Sequence, residues 1–223
     1  MANTINILST KTLLSTQKQF LLDANITVIE EDFIQTKIKN FELNKINQNL
    51  IFTSQNAVQS VLENSKINEL KSVPVFCVGM KTKDFLEENG FTVDVYTDYA
   101  ADLAEIISLV YSNESFTFFS GNLRRDILPT TLKENQITFN EIEVYETSIT
   151  SHKVKIKPDG ILFFSPSAVE SYLKQNTIKQ EICFCIGETT AEALENTNIK
   201  NIVIAETPSV ENVIAEVIEY YTK

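Results

Sequence analysis

The sequence is poor in the residues that metal, redox and nucleophilic chemistries need. It has one histidine, His152, and three cysteines, Cys77, Cys183 and Cys185. The cysteines lie inside the apolar runs VPVFCVG and EICFCIG, and a CxC on a strand without companion Cys or His lacks the spacing of a zinc site. They are expected to be small buried hydrophobes in a reducing compartment, with no disulfide and no metal. His152 falls in the polar stretch SHKVKIKPDG with no nucleophile elbow nearby, which argues against Ser-His-Asp chemistry and predicts a solvated loop residue. Neither GxGxxG after the first strand nor GxxxxGK[ST] occurs, so no nucleotide fingerprint is present. Positive charge is also scarce: the net charge is -11, which excludes sequence-independent nucleic-acid binding. An anionic ligand would have to meet local positive charge, and the only two arginines are adjacent, Arg124 and Arg125. No apolar stretch approaches the ~20 residues that span a bilayer, and MANTINILSTKTLLS lacks a charged region followed by a long apolar run. A cytoplasmic protein with no membrane contact is expected.

What is present reads as an ordinary soluble globular protein: 43% apolar and 22% charged residues in a 223-residue chain, long enough for two domains with separate cores. Apolar strand-like runs alternate with helical periodicity from end to end. INILS at 5–9 precedes a helical stretch, strand 50–53 precedes helix 57–63, and strand 73–78 leads through Gly79 to a helix stopped at Gly90. Such alternation predicts parallel sheets in an α/β protein.

The chain also repeats itself. LIFTSQNAVQSVL at 50–62 matches ILFFSPSAVESYL at 161–173, and VFCVGMKTKDFLEENGF at 75–91 matches CFCIGETTAEALENTNI at 183–199. Residues 5–36 align with 116–147, again about 110 positions apart. Each repeat is long enough to be a domain. Two partitions are compatible with this: contiguous halves divided near 112, or an exchange in which the first strand–helix unit joins the C-terminal half while 116–143 completes the domain begun at 40.

In open parallel sheets, ligands meet the loops that leave the carboxyl ends of the strands. Here those loops are alike: Thr53-Ser54-Gln55-Asn56, Gly79-Met80-Lys81-Thr82, Ser120-Gly121-Asn122, Ser165-Pro166-Ser167 and Gly187-Glu188-Thr189-Thr190. Each puts a hydroxyl or glycine where a helix begins, so that unpaired N–H groups can face an anion, although any one of them is also an ordinary N-cap. Arg124 and Arg125 are either carboxylate ligands or exposed helix-start charges. Tyr145, in EVYET at a crossing segment, is either a packing aromatic or a functional hydroxyl.

At LIFTSQNAV, VFCVG, SGNLRRDILPTTL followed by EVYET, FFSPSAV, CIGETTAEAL and AETPSVENV, in that order, the chain resembles uroporphyrinogen-III synthase over nearly its whole length. The resemblance implies the exchanged arrangement. It gives two similar α/β domains with parallel sheets flanked by helices, a two-stranded antiparallel linker and a cleft between the domains. One domain would be 1–35 plus 150–223, the other 38–146, with crossings near 33–38 and 144–150. It implies a cytoplasmic monomer without cofactor or metal that binds hydroxymethylbilane, a linear tetrapyrrole with eight carboxylates. The bilane would be closed to uroporphyrinogen III with inversion of the last ring and loss of water. Tyr145 matches the family's tyrosine suggested to donate a proton to the departing hydroxyl. Substrate contacts are implied at Thr53, Ser54, Gly79, Thr82, Gly121, Asn122, Leu123, Ser165, Ser167, Thr189 and Thr190, many through backbone amides. Arg124 is a further candidate for a carboxylate. Glu188 stands where proline is common in the family, and its charge opposes a carboxylate unless it points away. The alternatives are a non-catalytic two-domain anion- or metabolite-binding protein and, behind it, a duplicated Rossmann-type oxidoreductase that lacks its glycine fingerprint.

Overall fold

A computed structural model describes residues 4–223; the first three residues, which open the first predicted domain, lie outside the described residues. In chain order the elements are β1 (Ile5–Ser9), α1 (Ser15–Asp23), β2 (Ile26–Glu30), β3 (Ile34–Ile38), β4 (Asn49–Phe52), α2 (Gln55–Leu62) and α3 (Ile67–Leu70). They continue with β5 (Val75–Val78), α4 (Met80–Glu88), β6 (Val93–Thr97), α5 (Ala100–Val110), β7 (Ser115–Gly121), α6 (Ile127–Glu134) and β8 (Thr138–Ile149). The last third holds β9 (Gly160–Phe163), α7 (Pro166–Leu173), β10 (Ile182–Cys185), α8 (Glu188–Glu195), β11 (Ile202–Ile204) and α9 (Val210–Thr222). Among the described residues no helix is long and apolar enough to cross a membrane.

Contacts divide the chain into two compact units, Met1–Gln35 with Ser148–Lys223, and Thr36–Thr147. The first unit has a five-stranded sheet in the order β11-β10-β9-β1-β2, all parallel. In the second the order is β3-β8-β7-β4-β5-β6, parallel from β8 to β6. Read through the repeats, β9, β10, β11, β1 and β2 correspond to β4, β5, β6, β7 and β8, so the two orders are one plan built twice. The added strand β3 runs against β8, since Thr150 N–H meets the Phe33 carbonyl while Lys39 N–H meets that of Val144. With most of its residues exposed, β3 is a polar edge.

Central strands are mostly apolar because both faces are covered. Successive residues feed opposite faces: Ile7, Leu162 and Phe184 join one core cluster, while Leu8, Ile161, Cys183 and Cys185 join another. In the second unit Leu50, Phe52 and Phe119 lie on one side of the sheet, and Ile51, Phe116 and Phe118 on the other. The helices follow the same logic: α9 buries Val210, Val213, Ile214 and Val217, one stripe of a 3.6-residue period. All three cysteines are free and buried, and burial pushes the thiols of Cys77 and Cys183 up to about 12, which makes them inert packing groups.

Three local expectations change. The helix predicted over 57–63 is α2 at Gln55–Leu62, two residues earlier, because Ser54 supplies the cap. The strand predicted over 73–78 starts at Val75, after a proline that has no N–H to give a ladder. His152 is only half-exposed: its ring stacks on the buried Phe33 at 4.3 Å, Nε2 lies 2.6 Å from Glu31 Oε2 and Nδ1 2.8 Å from the Thr150 carbonyl.

Candidate functional site

The strand orders place a topological switch in each unit. From β4 the chain proceeds to β5 and β6 on one side, and from β7 to β8 on the other, so the loops after β4 and β7 part at their carboxyl ends. That divergence leaves the crevice in which doubly wound sheets bind ligands. The first unit has the same divergence between β9 and β1.

In the second unit the switch gathers Thr53, Ser54, Gly121, Asn122, Leu123 and Tyr145. Ser54 caps α2 in an extended conformation, its Oγ accepting from Asn56 N–H at 3.1 Å. Tyr145 Oη donates to the same Oγ at 3.2 Å. The tyrosine reaches this point through an irregularity in the ladder. Pairing between β7 and β8 runs in step through Ser120 with Glu143, then skips Val144 and sets Gly121 against Tyr145. Such a bulge re-aims a side chain. The ring lies directly on Gly121: a Cβ there would fall 2.3 Å from Tyr145 Cζ and 2.4 Å from Cε2. Gly121 is thus glycine for want of space.

One strand over, Gly79 has φ +88°, a conformation that L residues rarely adopt, and receives the chain from β5 into α4. Gln55 Nε2 ties this turn to the loop after β4 by donating to the Lys81 carbonyl at 3.0 Å. Thr82 is 5% exposed and its N–H is bonded to the Gly79 carbonyl, so neither donor opens to solvent. Leu123 is 53% exposed.

In the first unit Ser165 caps α7, with Oγ accepting from Ala168 N–H at 3.2 Å and lying 3.0 Å from Ser167 Oγ. Thr189 is half-buried, while Thr190, like its counterpart Thr82, is buried, at 1% exposure, with its N–H on the Gly187 carbonyl. Gly187 itself is extended, at φ 178°, so the repeated Gly-x-x-Thr turns differ in backbone. Glu188 is exposed in the first turn of α8, where the helix N-terminus favours a negative charge. Lys11, which the sequence reading did not single out, follows β1 at this switch. Its Nζ lies 5.4 Å from the Phe164 ring centroid, and it has no carboxylate partner among the described residues. The signal for it was in the repeat, where Lys11 occupies the position of Asn122.

Arg124 does not stand free. Its Nε donates to Glu141 Oε1 at 2.5 Å, its Nη2 to Glu141 Oε2 at 3.1 Å, and Asp126 is a further partner. Arg125 is exposed with no ion-pair partner among the described residues. Burial of Glu141 opposes its ionisation, but the bonds from Arg124 and Ser120 outweigh it and hold the carboxyl below its ordinary 4.5. A carboxyl lowered by folding adds stability that is complete above the unfolded pKa and drains away as pH falls through the folded one. Arg124→Met is therefore expected to destabilise this unit at about pH 7, with the loss shrinking below about pH 4, as read by urea denaturation across that range. A shallow hollow bounded by Lys133, Gln136, Thr138, Phe139 and Glu141, the partner of Arg124, lies toward the amino-terminal end of β8.

Two α/β units of one strand order, each with hydroxyl-bearing loops at its switch and one with a tyrosine there, define a duplicated doubly wound protein. Residues 24–215 match the family model for uroporphyrinogen-III synthase HemD. The chain belongs to the uroporphyrinogen-III synthase family, cyclising lyases of porphyrin biosynthesis that act on a small tetrapyrrole. It is 25% identical over 236 residues to the uroporphyrinogen-III synthase of Saccharomyces cerevisiae, covering 88% of this chain and 84% of that one. It is 27% identical over 190 residues to the porphyrin biosynthesis protein HemD of Ruminiclostridium josui, covering 76% of this chain but 37% of that protein. The chain therefore spans little more than a third of that relative's length. In fold it is similar to the crystal structure of uroporphyrinogen-III synthetase from Helicobacter pylori, with a TM-score of 0.75 at 22% identity over 97% of this chain and 99% of that one. A mutant uroporphyrinogen III synthase from Thermus thermophilus gives 0.67 at 12% identity, over 98% and 99%.

Proposed function

We propose that this chain, as a cytoplasmic monomer with each compact unit acting as one domain, closes hydroxymethylbilane to uroporphyrinogen III. The observation that carries the reading is the Tyr145 hydroxyl held at a switch point by Ser54 and Gly121, in a chain whose family cyclises tetrapyrroles. Loss of the terminal hydroxyl as water needs a proton, which Tyr145 supplies. The last ring then attacks through its substituted carbon to give a spiro intermediate, which fragments and recloses with that ring inverted. Because the bilane also closes unaided without inversion, the protein's main contributions are orientation and exclusion of water.

The substrate's carboxylates meet hydroxyls and N–H groups at helix starts, for which Thr53, Ser54, Gly79, Gly121, Leu123, Ser165, Ser167 and Thr189 are the candidates. Buried Thr82 and Thr190 support the turns from within. Lys11 adds a cation beside the serines of the first unit. Lys11→Gln is expected to raise KM by about threefold and flatten its dependence on salt, with kcat little changed.

Family membership favours the enzyme over a non-catalytic metabolite-binding protein. The test is to supply hydroxymethylbilane and resolve the uroporphyrinogen isomers. Conversion to the inverted isomer is expected; an unchanged yield of the non-inverted one overturns the reading.

A further inference from the structure

We propose that Asn122 is a positioning residue whose side-chain amide fixes the end of β8 and so keeps the Tyr145 hydroxyl at the switch point. The inference rests on the reading of Tyr145 as the proton donor.

After Gly121 the chain turns away toward α6, which deprives the end of β8 of a backbone neighbour on that side. Asn122 takes the place of the missing strand. Its Oδ1 accepts from Thr147 N–H at 2.8 Å, its Nδ2 donates to the Thr147 carbonyl at 3.1 Å, and its own N–H donates to the Tyr145 carbonyl at 3.3 Å. A carboxamide carries a donor and an acceptor in one plane, as a peptide group does, so it closes the ladder where a hydroxyl or carboxylate would not. Both ends of this amide are thereby committed to the strand. Tyr145 is held three ways: its carbonyl by Asn122, its ring on Gly121 and its hydroxyl by Ser54.

The duplication supplies an internal control. At the same separation of about 110 positions, Gly121, Asn122 and Tyr145 correspond to Thr10, Lys11 and Ile34. The first unit has no tyrosine at this place, and there both the glycine that makes room for one and the asparagine that fixes it are absent as well. Thr10 instead bonds its hydroxyl to the Leu162 carbonyl at 2.6 Å, and Lys11 turns to Phe164. The three residues form one device, present once.

The test is a double-mutant cycle with a spectroscopic readout. Asn122→Ala should lower kcat on the order of tenfold with KM changed less than about twofold, and should cost nothing further in a Tyr145→Phe background. Asn122→Asp, which keeps the acceptor but sets a carboxylate against the Thr147 carbonyl, should do the same and serves if the alanine variant fails to fold. In spectra of carbon-labelled tyrosine, with Tyr145 assigned through Tyr145→Phe, its ring signals should shift in either variant. A raised KM at unchanged kcat would make Asn122 a substrate contact, and an equal loss in the Tyr145→Phe background would make its role independent of the tyrosine; either overturns the inference. Unmoved Tyr145 signals overturn it whatever the activity. Absence of the inverted isomer from the wild-type protein, with Tyr145 signals still shifting, faults the functional reading alone.

Discussion

Tyr145→Phe is expected to slow formation of uroporphyrinogen III by about a hundredfold, the lower range for removal of a positioned acid. The phenylalanine ring keeps its seat on Gly121, since only the oxygen is deleted, and the lost bond to Ser54 is half-exposed and costs about 1 kcal/mol or less of stability. Activity and stability should therefore separate cleanly. Steady-state kinetics with isomer analysis checks the rate, and urea denaturation checks the fold. Single changes of Thr53, Ser165 or Thr189 should each cost less, because several loops share the carboxylates. A Tyr145→Phe enzyme turning over at nearly the wild-type rate removes the proton-donor role.

The second large effect is expected from Gly121→Ala. The added methyl would fall 2.3 to 2.8 Å from three atoms of the Tyr145 ring, well inside contact distance. The ring is the movable partner, so it must swing away and draw its hydroxyl off Ser54. Overpacking of this kind costs about 1–3 kcal/mol. Displacing a reacting group by about 1 Å is enough for a loss of about a hundredfold, so the alanine variant should be nearly as slow as Tyr145→Phe. Gly121→Ala made in the Tyr145→Phe background should then cost little more in rate while still lowering stability. A Gly121→Ala enzyme with unaltered kcat would show that the ring need not rest there. Gly79→Ala is the contrast: its Cβ meets only Thr82 Oγ1 at 3.6 Å, but φ +88° makes the backbone itself unfavourable, so it should lose stability ahead of rate.

Much of this was legible without coordinates because it is local. Apolar runs such as LIF and VFCV are buried on both faces and look alike in any parallel sheet. Ser54 and Ser165 each announce themselves as caps just ahead of a periodic stretch, and both act as caps here. The duplication was visible because two copies of one plan keep the same caps and the same core positions. Arg124 shows the limit of that approach. As one of two arginines in an acidic chain it read equally as a carboxylate ligand or as an exposed helix-start charge, and the pairing with Glu141 of its own chain is visible only in the fold.

The sequence by itself determined the alternation of strands and helices and the buried cysteines, which depend on neighbours a few positions away, and, through self-comparison and resemblance, the two copies and the tyrosine worth watching. The residues alone left two partitions open, and β1 and β2 share a sheet with β9 to β11 as the resemblance implied, whereas only the tertiary structure decided that β8 skips Val144 and that Asn122 spends its amide on Thr147. Those are pairings between distant segments, and a hydrogen bond across a sheet leaves no period in the chain. A glycine kept for space is written the same way as a glycine kept for a turn. Gly121 and Gly79 differ only once the ring above one and the φ of the other are known.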